Sequence, residues 1–245
     1  MRIRPEASDF ESVTMATMRE SLQSPGFFPP VETALVDPNG LLAMGGDLSQ
    51  ARLLDAYRHG IFPWFNPGES ILWWSPDPRM VLVPGEVRVP RSLDKRMRNA
   101  GFETRVDTAF ADVMRACAAP RDGESGTWIS LPMIAAYVRL FEAGYAHSVE
   151  TWHDGKLVGG LYGVAIGRMF YGESMFSREP DASKVALVRL ARQLQRWGFG
   201  LIDCQMETAH LASLGARTMP RAAFTARLAE LVNLPHQPGP WTFEP

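Results

Sequence analysis

The stretch that most constrains this chain runs from "RMFYG" (168–172) to "GLIDCQ" (200–205). Both ends read as short apolar strands. The residues between them carry Val185, Val188, Ala191 and Leu194 at helical spacing, so a helix is expected from Asp181 to Trp197, with Gly198 as its stop. A strand, a helix and a strand of this length form a crossover between parallel neighbours, and the crossover is right-handed. The other strands are linked by turns. "HSVETW" leads through "HDGK", where Asp154-Gly155 signals a hairpin, into "LVGGLYGVAIG", and Gly167 turns the chain into "RMFYG". Before them come a strand "FETRV", a helix "DTAFADVMRACAA" capped by Asp107, and a helix "SLPMIAAYVRLFEAG" capped by Ser130 and ended by Gly144. Short "HLASLG" and a helix from Arg221 to about Val232 follow "GLIDCQ". The order β-α-α-β-β-β-α-β-α predicts an α+β fold, with helices flanking a mixed, mostly antiparallel sheet that holds one parallel pair.

A parallel pair flanking a crossover can splay at its C-terminal ends and open a crevice there. The element order resembles the GNAT-type acyltransferase fold, although a fold does not by itself give a reaction. At the crevice "FYGESMFS" brings Phe170, Glu173, Met175 and Phe176, while "LIDCQ" brings Ile202, Asp203 and Gln205. Asp203 and Gln205 share a face by strand alternation, and Cys204 points the other way, into packing. Apolar and acidic side chains together describe a pocket for a hydrocarbon chain beside a polar or cationic group. The competing arrangement is a core of Met175, Phe176 and Ile202, with Glu173 and Asp203 paired to arginines.

Upstream, residues 26–80 are dense in Pro, Gly and aromatics and read as a small N-terminal domain, preceded by a polar arm over 1–25 and followed by a catalytic domain over 81–245. A helix from Ser49 to about His59, capped by Asp47 or Ser49, is its one regular element. "FPWF" and "LWW" place Trp64, Trp73 and Trp74 in tight turns, as core anchors or as an aromatic shelf for a base. The proline-rich "WWSPDPR" reads as the linker.

Net charge is -2, yet "VRVPRSLDKRMRNAGFETR" gathers Arg91, Lys95, Arg96 and Arg98. If Ser92 opens a helix, Arg91, Lys95 and Arg98 line one side, either as a solvated face or as a patch for nucleic-acid phosphates. No run approaches the ~20 apolar residues of a membrane span, and the N-terminus carries no secretory signal. The two cysteines lie far apart in sequence, which suits a reducing cytoplasm. No His-x-x-x-His pair is present, so no metal site is expected. Gly-x-Ser-x-Gly is absent, and "GGLYGVAIG" lies within a strand, where it is weak as a dinucleotide loop. The rival on this fold is a coenzyme A-dependent N-acyltransferase. Its Q/R-x-x-G-x-G/A pyrophosphate loop is missing from "GESMFSREPDASK".

"GLLAMGGDLSQARLLDAYRHGIFPWF", "ILWWSPDPR", "GTWI", "GESMFS", "ASK", "LIDCQ" and "ASLGA" together resemble the leucyl/phenylalanyl-tRNA–protein transferase family, from about Phe28 to Phe224. The resemblance implies transfer of leucine or phenylalanine, with methionine also admitted, from aminoacyl-tRNA to the N-terminal Arg or Lys of acceptor proteins. Such marking feeds the bacterial N-degron pathway of protein degradation. It implies a cytoplasmic monomer that uses no cofactor and no metal. By motif, Asp203 and Gln205 would be the catalytic pair, with Glu173 in the same site. Trp64 and Trp128 would flank the terminal adenosine. Phe170, Met175, Phe176, Ser177, Ile202 and Leu190 would line the substrate site, and Arg91, Lys95, Arg96 and Arg98 would face the tRNA. Asp203 could orient the attacking amine and help remove its proton, or act only electrostatically while the terminal ribose hydroxyl shuttles that proton. Glu173 could instead hold the acceptor's basic side chain or the donor's free amino group.

Overall fold

The computed structural model describes residues 28–120 and 127–244; the polar arm expected over 1–25 lies outside them. Three short strands, β1 (Leu41–Met44), β2 (Phe62–Pro63) and β3 (Leu72–Trp74), pair antiparallel in the order β1-β3-β2. Helix α1 (Gln50–Arg58) joins β1 to β2. Ser49 caps it by accepting from Arg52 N, while Asp47 accepts from Ser49 N. Trp73 and Trp74 are strand residues rather than turn residues. Both are buried, and their indoles donate to the backbone carbonyls of Gly45 and Trp64.

The second sheet has seven strands: β4 (Arg79–Leu82), β5 (Glu103–Val106), β6 (Ala146–His153), β7 (Lys156–Ile166), β8 (Met169–Ser177), β9 (Leu201–Gln205) and β10 (Arg217–Met219). Their spatial order is β10-β4-β9-β8-β7-β6-β5, and only β8 and β9 run parallel. The remaining helices are α2 (Arg91–Asn99), α3 (Phe110–Ala118), α4 (Leu131–Glu142), α5 (Ala182–Arg196), α6 (Ala209–Ser213) and α7 (Arg221–Leu231). The chain is thus the α+β protein expected, with α5 as the crossover. The β6–β7 hairpin turns at Asp154 and Gly155, with φ of 48° and 71°, the left-handed pair that a type I′ turn needs.

Strands β4 and β10 were not anticipated, and they change the position of β9. β4 shows no alternation, because all four of its residues are buried, and Pro78 and Pro84 stand close on either side. Together with β10 it extends the sheet beyond β9, which becomes an interior strand.

Two helix starts also differ from expectation. Helix α2 begins at Arg91, directly after Pro90, one residue ahead of Ser92. Asp107 does not cap α3. It sits at φ 55° and accepts from Ser148 N, His147 Nδ1 and Trp241 N, so three donors draw its carboxylate inward. Glu150 takes the start of α3 instead, accepting from Ala109 N and Thr108 Oγ1. The indole of Trp241, from the C-terminal segment, stacks on His147 with ring centroids 3.5 Å apart.

The sheet buries both faces. Met80, Leu82, Phe170 and Ile202 pack with α2 and α5 on one side. Val81, Tyr171 and Leu201 pack on the other with α1, α3, α4, α7 and the three-stranded sheet. Successive residues of β8 and β9 therefore enter different cores.

Candidate active site

Strands β8 and β9 stay paired for three residues only, Met169↔Leu201, Phe170↔Ile202 and Tyr171↔Asp203. Both are then bulged. On β8, the pairings Tyr162↔Ser174 and Gly163↔Gly172 leave Glu173 as an extra residue. On β9, Val81↔Asp203 and Met80↔Gln205 leave Cys204 as an extra residue, and Gln205 adopts φ 62°. A bulge bends its strand and re-aims the side chains beside it. Two bulges on adjacent strands part them, and a cavity of about 270 Å³ opens between.

Because the sheet itself opens, the cavity takes walls from both of its faces. Phe170, Leu190 and Ile202 belong to the α5 side, while Phe62 and Trp64 belong to the opposite side. Trp128 and Met175 complete the expected lining, and Glu173, Asp203 and Gln205 all reach it. Leu161 and Leu187 line it too, and nothing local in the sequence distinguished them from ordinary core. Phe176 and Ser177 are elsewhere: they line a neighbouring cavity of about 750 Å³.

Asp203 and Gln205 do not act as two residues of one regular strand face. The bulge and the left-handed backbone at Gln205 break the alternation that would align them. Asp203 is fully buried. Its Oδ1 accepts from Arg79 Nε at 2.8 Å and from Gln205 N at 2.8 Å, and its Oδ2 accepts from Arg79 Nη2 at 2.6 Å. This is a bidentate ion pair, and the Arg79 guanidinium also lies 4.8 Å from the ring centroids of both Phe62 and Phe224. Asp203 is thus paired to an arginine, as one of the two sequence readings had it. Arg79 itself was missed. The signal available was a single cation opening "RMVLV" straight after the proline-rich segment, a cation that a buried strand must neutralise.

Glu173 pairs with no such cation among the described residues. Its Oε1 accepts from Gln205 Nε2 at 3.0 Å, and its Oε2 accepts from Tyr137 Oη at 3.0 Å. Tyr137 in turn shares a short hydrogen bond with Tyr57 of α1. Burial pushes the Glu173 carboxyl up to about 7; hydrogen bonds from Tyr57 and Tyr137 pull the other way, and the charge of Asp203 adds to the rise. Burial, followed by the charge of Glu173, drives both phenols well above their usual range, so they remain protonated donors. Both tyrosines occupy core positions of amphipathic helices, where sequence reads them as packing. With its NH₂ given to Glu173, the Gln205 side chain keeps its carbonyl oxygen to accept from an incoming N–H. The site therefore combines an apolar chamber, an amide acceptor and a carboxyl that ionises near neutral pH.

The basic residues form a separate feature on α2. Leu93 and Met97 anchor the helix, leaving Arg91, Lys95 and Arg98 exposed on its outer side. Arg98 pairs with Asp94 at 2.7 Å, whereas Arg91 and Lys95 meet no carboxylate among the described residues. Arg96 turns towards the β8–α5 connection and donates to Pro180 O. None of the four lines the 270 Å³ cavity. Among the described residues no group of His, Cys, Asp and Glu could hold a metal ion, and no helix is long and apolar enough to cross a membrane.

Comparison with known proteins gives a consistent result. The model of the leucyl/phenylalanyl-tRNA protein transferase family matches residues 81–229, and the model of that family's N-terminal domain matches residues 46–77. A leucyl/phenylalanyl-tRNA–protein transferase of Thiobacillus denitrificans is 82% identical over 93% of this chain and 100% of its own length. Its counterpart in Nitrosomonas europaea is 63% identical over 93% of this chain and 96% of its own. A solved GCN5-related N-acetyltransferase from Kribbella flavida is 14% identical with a TM-score of 0.37, covering 68% of this chain and 60% of its own, too slight a likeness to bear on function.

Proposed function

Since the chain belongs to the leucyl/phenylalanyl-tRNA–protein transferase family, we propose that it moves leucine or phenylalanine from aminoacyl-tRNA to the N-terminal Arg or Lys of an acceptor protein. The observation that carries this reading is the opening in the sheet, where an apolar chamber meets the Glu173–Gln205 pair. The chamber takes the aminoacyl side chain. At about 270 Å³ it falls below the roughly 300–1,000 Å³ of sites that enclose drug-sized ligands. Trp64 and Trp128 hold the terminal adenosine by stacking, which tolerates any tRNA body.

An aminoacyl ester is already activated, so the enzyme's task is to hold a neutral amine against the carbonyl carbon. An α-amine titrates at roughly 7.7–8.0, so about a tenth to a sixth of it is neutral at pH 7. The amine donates one N–H to Gln205 Oε1. As its nitrogen bonds to the carbonyl carbon it becomes cationic, and the proton passes towards Glu173, whose carboxyl near 7 is matched to that transfer. The C–O ester bond then breaks, the ribose oxygen takes up the proton and leaves as a hydroxyl, and the new amide stays on the protein. Asp203 is a positioning residue in this scheme: clamped by Arg79, it fixes the backbone N–H of Gln205.

The test is transfer of radiolabelled leucine from leucyl-tRNA to a peptide beginning with Arg, beside one beginning with Ala. Transfer to the Arg peptide alone, lost in Gln205→Ala, is the expected result. If neither leucyl- nor phenylalanyl-tRNA serves as donor, the reading fails and a coenzyme A-dependent acyltransferase takes its place.

A further inference from the structure

Beside the aminoacyl chamber lies the second cavity, of about 750 Å³, that holds Phe176 and Ser177. The two share Ser174, Met175, Thr208 and Leu211, so one opens against the other. Among the described residues no Asp or Glu lines the second cavity, whereas Arg178 and His210 both do. Arg178 gives one N–H to Leu157 O and lies over the Phe176 ring, and it has no carboxylate partner among the described residues. Ser183, in the first turn of the fifteen-residue α5, also lines the cavity, so the positive end of that helix faces it. The basic face of α2 is moored close by: Arg96 bonds Pro180 O and approaches Glu179, in the connection that follows Arg178. The cavity therefore adjoins the aminoacyl chamber on one side and, on the other, the connection that moors the basic face of α2, a connection that also carries Glu179 and Asp181.

We propose that this cavity binds the phosphodiester backbone of the unpaired 3′ strand just before the terminal adenosine, with Arg178 and His210 as donors. The inference rests on the tRNA-dependent reading above and assigns a site distinct from the chamber for the amino acid. An acceptor peptide is the less suited occupant. Its N-terminal Arg or Lys is cationic and would meet Arg178 here, with no carboxylate among the described lining residues to receive it.

The experiment compares two leucine donors, leucyl-tRNA and 3′-O-leucyl-adenosine, which lacks any phosphate, on wild type and on Arg178→Ala/His210→Ala. Loss of these two donors raises KM for leucyl-tRNA by about tenfold and lowers the slope of log KM against log salt by about one. Rates with leucyl-adenosine, and KM for the Arg peptide, stay at wild-type values. An unchanged KM for leucyl-tRNA overturns the proposal. So does a rise in peptide KM, which would give the cavity to the acceptor, or an equal loss with both donors, which would mean damage to the chamber. Wild type inactive with both donors fells the transferase reading itself, a result visible before any variant is made.

Discussion

At Glu173 catalysis and stability pull in opposite directions. Its carboxyl is held at about 7 in the folded chain against 4.5 ordinarily, so between those values the unfolded chain has lost a proton that the folded chain keeps. Stability therefore falls as pH rises from 4.5 to 7 and is level above, with an upper bound of about 3 kcal/mol. Glu173→Gln should melt at a higher temperature than wild type at pH 8 and at the same temperature at pH 4. Its kcat/KM should also lack the limb near 7 and keep only the one set by the acceptor amine. Identical profiles for wild type and variant would remove Glu173 from proton transfer. Arg79 behaves differently. Replacing it by Met leaves Asp203 charged and buried, a loss of about 3–5 kcal/mol in denaturant unfolding. Asp203→Ala strands Arg79 in the same way. An inactive Asp203 variant is therefore informative only beside a measurement of its folded fraction.

At the scale of elements, the site is made by two irregularities. Opposite the β8 bulge stands Gly163, where a Cβ would come within 2.2 Å of Tyr171 O and 2.6 Å of the Phe170 ring. Gly163→Ala must push the β8 backbone and the chamber wall together. It should cost about 1–3 kcal/mol of stability and lower kcat/KM, whereas Gly155→Ala, in open space at the hairpin, should affect stability alone. The regular elements were legible because each carries its own periodicity or turn chemistry: α5 through Val185, Val188, Ala191 and Leu194, the hairpin through Asp154-Gly155. β4 and β10 were not, since four buried residues between prolines and three residues before another carry no period. The bulges were illegible for a deeper reason. Whether Cys204 is an extra residue depends on register against β4, far away in sequence, and whether Glu173 is one depends on a slip within the β7–β8 hairpin that its turn at Gly167 does not announce. So "LIDCQ" announced polar groups at a strand end, and "FYGESMFS" a carboxylate beside them. What neither revealed was that Asp203 would be spoken for by Arg79, leaving Gln205 and Glu173 facing the opening.

For the whole molecule, the proposed reading gives chemistry to the cavity and capture to the basic face of α2. Net charge is -2, so on that reading attraction of a polyanion depends on locally basic surface, of which α2 is one part. Arg91→Glu/Lys95→Glu should raise KM for leucyl-tRNA steeply at low salt, with a difference that shrinks as salt rises, while KM for the peptide stays put. A variant that weakens peptide and tRNA use alike would mean that α2 supports the fold instead.

The Arg79–Asp203 clamp joins residues separated by 124 positions in sequence. On a ribosome, the cation of β4 emerges long before the carboxylate that neutralises it, and before Gln205, which that carboxylate fixes in place. The last strand to enter the middle of the sheet is thus also the one that completes the proposed catalytic centre. A nascent chain that stops before residue 201 carries the basic helix α2, Trp64 and Trp128 but lacks Ile202, Asp203 and Gln205, and on the proposed mechanism it is inert. On that reading activity arrives only once β9 has joined the sheet, so copies that stop short of it could not mark other proteins.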